Sequence, residues 1–193
     1  RHETVHTLRS SCRRVVDSAY MRKILSKNFF EMDTLKVAEN LLGKYLVRKI
    51  GDKEIALKIN EIEAYDGFED KASHAHKGRT DRNKIMFGEA GNWYVYLVYG
   101  MHDMLNIVTG KKDYPAAILI RGAGDISWPG RLTKFLKIDK KLNGKSASVK
   151  TGLWFEDRGE SIDKKKIKRT SRIGVNYAGS IWAKKNYRFI LLF

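Results

Sequence analysis

Residues 60–82 read Asn60-Glu61-Ile62-Glu63-Ala64-Tyr65-Asp66-Gly67-Phe68-Glu69-Asp70-Lys71-Ala72-Ser73-His74-Ala75-His76-Lys77-Gly78-Arg79-Thr80-Asp81-Arg82. The stretch opens on two carboxylates and closes on a loop rich in His, Arg, Asp and Gly. Just upstream, Ile55, Leu57 and Ile59 alternate with Ala56, Lys58 and Asn60, the period of a half-buried strand. Continuing that parity places Glu61 and Glu63 on the apolar face. A carboxylate aimed inward is costly unless it is paired or neutralised. Three readings stay open at this point. The strand ends near Asn60 and both side chains are solvated, or one of them pairs with a buried Arg, or the pair is held there for chemistry.

Working outward, Tyr45 to Ile50 reads as a strand, Gly51-Asp52-Lys53 as a tight turn and Glu54 to Ala64 as the partner strand that delivers Glu63. Before it, Asp33 is an N-cap and Leu35, Ala38, Leu41 and Leu42 form one helical face that stops at Gly43. After it, Trp93 to Tyr99 is the strongest strand, Gly100-Met101-His102 a turn, and Met104 to Thr109 the return, with Asn106 where an apolar residue is expected. Cross-strand packing is the ordinary work of strand tyrosines. A Tyr-Gly-Met tip also suits a wedge inserted into a base stack. Asp113-Tyr114-Pro115 turns the chain into a buried strand, Ala116 to Arg121, whose final Arg needs an acidic or phosphate partner. Trp128-Pro129-Gly130 starts a helix over Arg131 to Ile138 that buries Leu132, Phe135 and Leu136. Lys140 to Lys150 reads as a polar loop, Leu153-Trp154-Phe155 as a short strand, and Tyr187 to Phe193 as a final strand. The pattern predicts a single α+β domain.

The 193 residues carry a formal net charge of +16, distributed as +4 over residues 1–130 and +12 over residues 131–193. Such a bias favours a polyanionic partner, because each neutralised phosphate releases counterions. No apolar run approaches a membrane span, and no basic amphipathic helix stands out. Cys12 is the single cysteine, so the chain alone can build neither a disulfide framework nor a cysteine zinc site. Residues 1–20, with four Arg and no apolar core, read as an extension or flexible basic arm ahead of a domain spanning residues 21–193.

Several ordered motifs carry a resemblance over nearly the whole chain. They are Glu61-Ile62-Glu63-Ala64-Tyr65, Glu69-Asp70, Ala72-Ser73-His74, Gly78-Arg79-Thr80, Arg82-Asn83 and Met86-Phe87. They continue through Tyr94-Val95-Tyr96, Tyr99-Gly100-Met101, Asn106, Leu119-Ile120-Arg121, Pro129-Gly130-Arg131-Leu132 and Arg172-Ile173-Gly174-Val175. In this order they resemble the alkyladenine DNA glycosylases, also called 3-methyladenine or N-methylpurine DNA glycosylases. The resemblance implies a curved antiparallel sheet, an open barrel like the formyltransferase C-terminal domain, flanked by helices and carrying a protruding hairpin. It implies a monofunctional enzyme that flips alkylated or deaminated purines (3-methyladenine, 7-methylguanine, hypoxanthine, ethenoadenine) from duplex DNA. Hydrolysis of the N-glycosidic bond would leave an abasic site.

By the same resemblance Glu63 is the general base and Arg121 helps to hold the water or a phosphate. Tyr65, His74 and Tyr96 form the base pocket, and Asn106 faces the purine edge. Tyr99 is the intercalating wedge with Met101 beside it. Arg79, Arg82, Arg131 and Arg172 meet the DNA backbone. The implied partner is double-stranded DNA, met by a monomer inside the cell, in a bacterial nucleoid or a eukaryotic nucleus, with no membrane, metal or organic cofactor. His102 and Asp103 depart from relatives that carry aromatic residues after the wedge.

Rival chemistries fit less well. A carboxylate pair for glycoside hydrolysis should flank a bond, whereas Glu61 and Glu63 on one strand point the same way. His74-Ala75-His76 lacks the further ligands a metal needs. A lyase would need a pocket amine, and no Lys stands at a matching position. A non-catalytic DNA-binding module is the remaining alternative, and Glu63 with Arg121 speaks against it.

Overall fold

The computed structural model describes residues 22–192. Its spine is one long strand, β3 (Lys53–Asp66). The first half of β3 pairs with β2 (Tyr45–Ile50) across the Gly51-Asp52 turn. Its second half pairs on one side with β6 (Ala116–Ala123) and on the other with β10 (Arg188–Leu191). Beyond β2 lie β8 (Leu153–Asp157) and β1 (Lys23–Ile24). Beyond β6 lie β5 (His102–Val108) and β4 (Trp93–Val98). β9 (Ile167–Thr170) edges β10, and β7 (Ile126–Ser127) folds back on the end of β6. All these pairings are antiparallel, and the ten strands of the described residues form one open sheet. Among the described residues four short helices accompany it: α1 (Lys27–Phe30), α2 (Thr34–Leu41), α3 (Pro129–Phe135) and α4 (Gly179–Ala183). The described residues thus form a single α+β domain. Among the described residues no helix is long and apolar enough to cross a membrane.

The expected parity of β3 does not survive the middle of the strand. Ile59 stands opposite Ala123, Glu61 opposite Gly122 and Ile62 opposite Ile120, so the register with β6 slips on both sides of Glu61. A bulge turns the pleat over and sends the following side chains to the other face. Ile59, Ile62 and Ala64 therefore all enter the main core, fully buried. Glu61, Glu63 and Tyr65 point away from it. Asn60 fixes the bulge by donating its side-chain amide to the Gly124 carbonyl at 2.7 Å. Gly122 permits this, since a Cβ there would come within 2.6 Å of the Asn60 oxygen.

The core is built from the alternating apolar residues of the sheet and one face of α2. Asp33 caps α2 by accepting the Lys36 N–H at 3.0 Å, and Val37, Ala38 and Leu41 turn inward. They meet Leu46, Ile59, Ile62, Leu105 and Ile120 in one cluster. Burying each large aliphatic side chain contributes about 1.5–3 kcal/mol, which is what holds the second half of β3 in place.

Other expectations shift by small amounts. β4 ends at Val98, so Tyr99 belongs to the turn and His102 already to β5. β8 runs on to Asp157, and the last strand is Arg188–Leu191. The segment read as a loop over residues 140–150 holds a 3₁₀ turn at Lys140–Leu142 and starts another at Val149, with Leu142 buried. Phe135 is 52% exposed and is not a core residue. Leu132 and Leu136, one turn apart, take the inner face of α3 and leave Phe135 outside. The expectation of an extension over residues 1–20, and Cys12 with it, lies outside the described residues.

Candidate active site

A cavity of about 250 Å³ opens on the face of the sheet to which the bulge directs Glu63. Glu63, Asn106, Leu119 and Arg121 are among its buried lining. Tyr65, His74, Met86, Tyr94 and Tyr96 supply its aromatic and apolar walls. Tyr99, Trp128, Ile173 and Tyr177 line it as exposed residues, marking its mouth.

Glu63 is fully buried, and both of its carboxylate oxygens are hydrogen-bonded. Its Oε2 accepts the Tyr65 hydroxyl at 2.9 Å, its Oε1 accepts the Ile173 N–H at 2.8 Å, and Arg121 Nε lies 3.5 Å from Oε1. Burial raises its pKa above the ordinary glutamate value, against the pull of the Arg121 cation, the Ile173 N–H and the Tyr65 hydroxyl. A carboxylate of raised pKa is a stronger base than an exposed one. Glu61 has a different task. Its Oε1 accepts from Arg121 Nε at 2.7 Å and from Arg188 Nε at 2.8 Å. Pairing with a buried Arg therefore holds for Glu61, and Glu61 in turn fixes Arg121 beside Glu63.

The two donors to Glu63 are themselves clamped. Arg172 binds the Asp70 carboxylate with both terminal nitrogens, at 2.5 and 2.7 Å, and both side chains are wholly buried. The same guanidinium donates to the Ala64 carbonyl at 2.9 Å. It stacks over Tyr65 at 4.8 Å and over Tyr187 at 5.2 Å. Asp70 also accepts the N–H groups of Asp66 and Ala72, each at 3.1 Å. Arg172 thus locks the Tyr65 ring and sets the segment whose next N–H, that of Ile173, holds Glu63. The expected contact of Arg172 with a phosphate is corrected here, because a side chain without accessible surface cannot meet DNA.

The walls are equally tied. His74 Nδ1 and the Tyr94 hydroxyl are hydrogen-bonded at 3.0 Å, and the His74 ring meets Tyr96 edge to face at 4.5 Å. Burial of the ring and the Arg82 cation hold His74 below its ordinary pKa, although the residue is exposed at the mouth. Burial pushes the Tyr94 hydroxyl up to about 12, and Tyr96 rises likewise. Asn106 donates its amide N–H groups to the Tyr94 and Met104 carbonyls at 3.1 and 3.2 Å, which prevents the side chain from swinging aside. His76 turns to the Phe68 carbonyl at 3.0 Å, away from His74's partner, so the two imidazoles do not converge on one point.

The β4–β5 hairpin supplies the contrast. Its turn puts Tyr99 at φ 51 and Gly100 at φ 70, closed by Met101 N–H to the Val98 carbonyl at 3.1 Å. Tyr99 is 89% exposed and Met101 70%. A non-glycine residue in left-handed backbone costs about 1–3 kcal/mol unless its surroundings impose it. Asp103 lies on the opposite face of β5 from His102 and Met104. Burial and then Asp139 raise the pKa of its carboxyl, and it does not line the cavity as His102 and Met104 do.

The signature described as methylpurine-DNA glycosylase (MPG) matches residues 28–128 and 124–192. A protein of Methanocella arvoryzae, provisionally named 3-methyladenine DNA glycosylase, is 44% identical over 176 residues, covering 81% of this chain and 86% of that one. Proteins of the same provisional name from Legionella pneumophila and Borreliella afzelii are 42% and 41% identical, covering 89% and 86% of this chain and 95% of each relative. This chain belongs to the methylpurine-DNA glycosylase family.

In this member of the methylpurine-DNA glycosylase family, Glu63, Tyr65, His74, Tyr96, Tyr99, Asn106 and Arg121 all line one cavity. Met101 stands beside it at the hairpin tip. Arg79, Arg82 and Arg131 are exposed outside the cavity, with Arg79 5.9 Å over the Phe87 ring and Arg82 5.6 Å over Tyr96. Sequence reasoning missed Tyr94, Trp128 and Tyr177 as cavity residues, and the Asp70–Arg172 clamp. Tyr94 shares the strand parity of Tyr96, a signal that was available. The clamp spans 102 residues and leaves no local trace.

Proposed function

We propose that this chain flips an alkylated or deaminated purine out of duplex DNA into the cavity. It then hydrolyses the N-glycosidic bond with a water activated by Glu63, leaving an abasic site. The observation that carries this reading is the fully buried, raised-pKa carboxylate of Glu63 beneath an aromatic cavity, with an exposed Tyr99-Gly100-Met101 tip at the mouth. Tyr99 enters the stack from which the base leaves, with Met101 beside it, and offsets a flipping cost of roughly a few kcal/mol. The purine enters among Tyr65, His74 and Tyr96, whose π faces favour a cationic alkylated ring. Neutral lesions rely on shape and on hydrogen bonding near His74. Asn106, unable to rotate, crowds the exocyclic amine of normal guanine. Glu63 takes a proton from the water attacking C1′, and its charge also stabilises the oxocarbenium-like transition state. Arg121, fixed by Glu61, orients that water or the neighbouring phosphate.

Arg79, Arg82 and Arg131 are the proposed phosphate contacts, each exposed and cationic. The same reading takes the chain to act as a monomer on duplex DNA inside the cell, on an open-barrel fold like the formyltransferase C-terminal domain. The test is single-turnover excision from end-labelled duplexes carrying hypoxanthine, ethenoadenine, 7-methylguanine or undamaged adenine. Strand cleavage at a lesion only after alkali is expected. Cleavage without alkali would point to a lyase, and silence on every lesion with DNA binding intact would leave a non-catalytic module.

A further inference from the structure

Trp128 stands at φ 89, ψ 120, a backbone conformation that a side chain disfavours and glycine adopts freely. Core packing does not hold it there, because the residue is 52% exposed. Although it is the N-cap of α3, its side chain makes no capping hydrogen bond. Strain at a half-exposed residue points to a use outside the fold itself.

Its surroundings say where that use lies. Trp128 lines the cavity that holds Glu63. Its ring meets His102 edge to face, with centroids 5.4 Å apart and planes at 83°. His102 is seated in turn on Gly130, where an added Cβ would come within 3.0 Å of the imidazole. The start of α3 and the first residue of β5 therefore set the indole at the mouth, with about half of its surface free.

We propose that Trp128 closes over the extruded purine as a further wall of the cavity, and that it favours cationic N-alkylated purines over neutral ones. Among aromatic side chains Trp has the strongest attraction for a cation over its face. The proposal rests on the glycosylase reading, and it names the substrate class that this mouth selects.

The experiment compares wild type, Trp128→Gly and Trp128→Phe in duplex titrations. The duplexes carry 2′-fluoro-7-methylguanosine, 2′-fluoroinosine or a tetrahydrofuran abasic analogue, the first two having glycosidic bonds that resist hydrolysis. Trp128→Gly is expected to melt no lower than wild type, since it relieves the backbone, and to bind the 7-methylguanine duplex about tenfold more weakly. The loss should be smaller on the hypoxanthine duplex and absent on the abasic one, and Trp128→Phe should recover most of the affinity. Equal losses on all three duplexes, or no loss on the first, would overturn the proposal. The wild-type excision assay separates the two readings. Excision without this affinity pattern keeps the glycosylase and removes the role of Trp128. The pattern without excision keeps a cation-selective base pocket and removes the hydrolysis.

Discussion

Glu63 and Tyr99 line the same cavity under opposite physical conditions. Glu63 has no accessible surface and is held by Tyr65, Ile173 and Arg121, behind which stand Glu61, Arg172 and Asp70. Tyr99 has 89% of its surface exposed and sits in left-handed backbone at a turn. The difference suits the role proposed for each. A base that acts on one water needs a dry, fixed position, where its pKa is raised and its geometry costs no reorganisation. A group that parts a base stack must project and stay unpartnered until DNA supplies the partner. One region spends interactions within the protein, and the other withholds them.

Substitutions on each side should therefore separate rate from affinity. Glu63→Gln is expected to lower single-turnover excision by about 10²–10⁴-fold while lesion affinity stays at the wild-type level. Next comes the clamp behind it. Asp70→Asn leaves the Arg172 cation buried without its counter-charge, and urea melts should show a loss of about 3–5 kcal/mol. Tyr99→Ser should leave those melts unchanged and weaken binding to a lesion duplex about tenfold, because only the stacking is removed. A Tyr99 variant that melts early, or an Asp70 variant of full stability, would erase the contrast between tip and wall. The smallest effect is expected at the rim of the binding face. Arg131→Ala should reduce the slope of log affinity against log salt by about one, equally for damaged and undamaged duplexes.

Much of this arrangement was legible in the chain. The hairpin that delivers Glu63, the capped α2 and the β4–β5 strands follow from local periods and turn residues, which act over a few positions. The bulge was not legible. Ile55, Leu57 and Ile59 set a parity that Asn60 breaks, and the break is specified by Gly122 and Gly124, some 60 residues away. Extrapolation therefore put Glu63 on the right kind of buried face but on the wrong side of the sheet. Arg172 failed for a related reason. The resemblance offers Arg172 as a phosphate ligand, and only the fold brings Asp70 opposite it. Trp128 was readable only as a residue before a Pro helix start, since a positive φ is a property of backbone and not of composition.

The central claim is that Glu63 is the base, and it is tested most directly by the pH dependence of single-turnover excision from a 7-methylguanine duplex. That base is cationic and leaves without being protonated, so no general acid complicates the acidic limb. Burial raises the Glu63 pKa above its ordinary 4.5, and only the ionised form can accept the proton of water. The rate should rise with pH through an apparent pKa above 4.5, level off above it, and lose this limb in Glu63→Gln. A rate independent of pH across that interval, or a limb that persists unchanged in Glu63→Gln, would contradict the account.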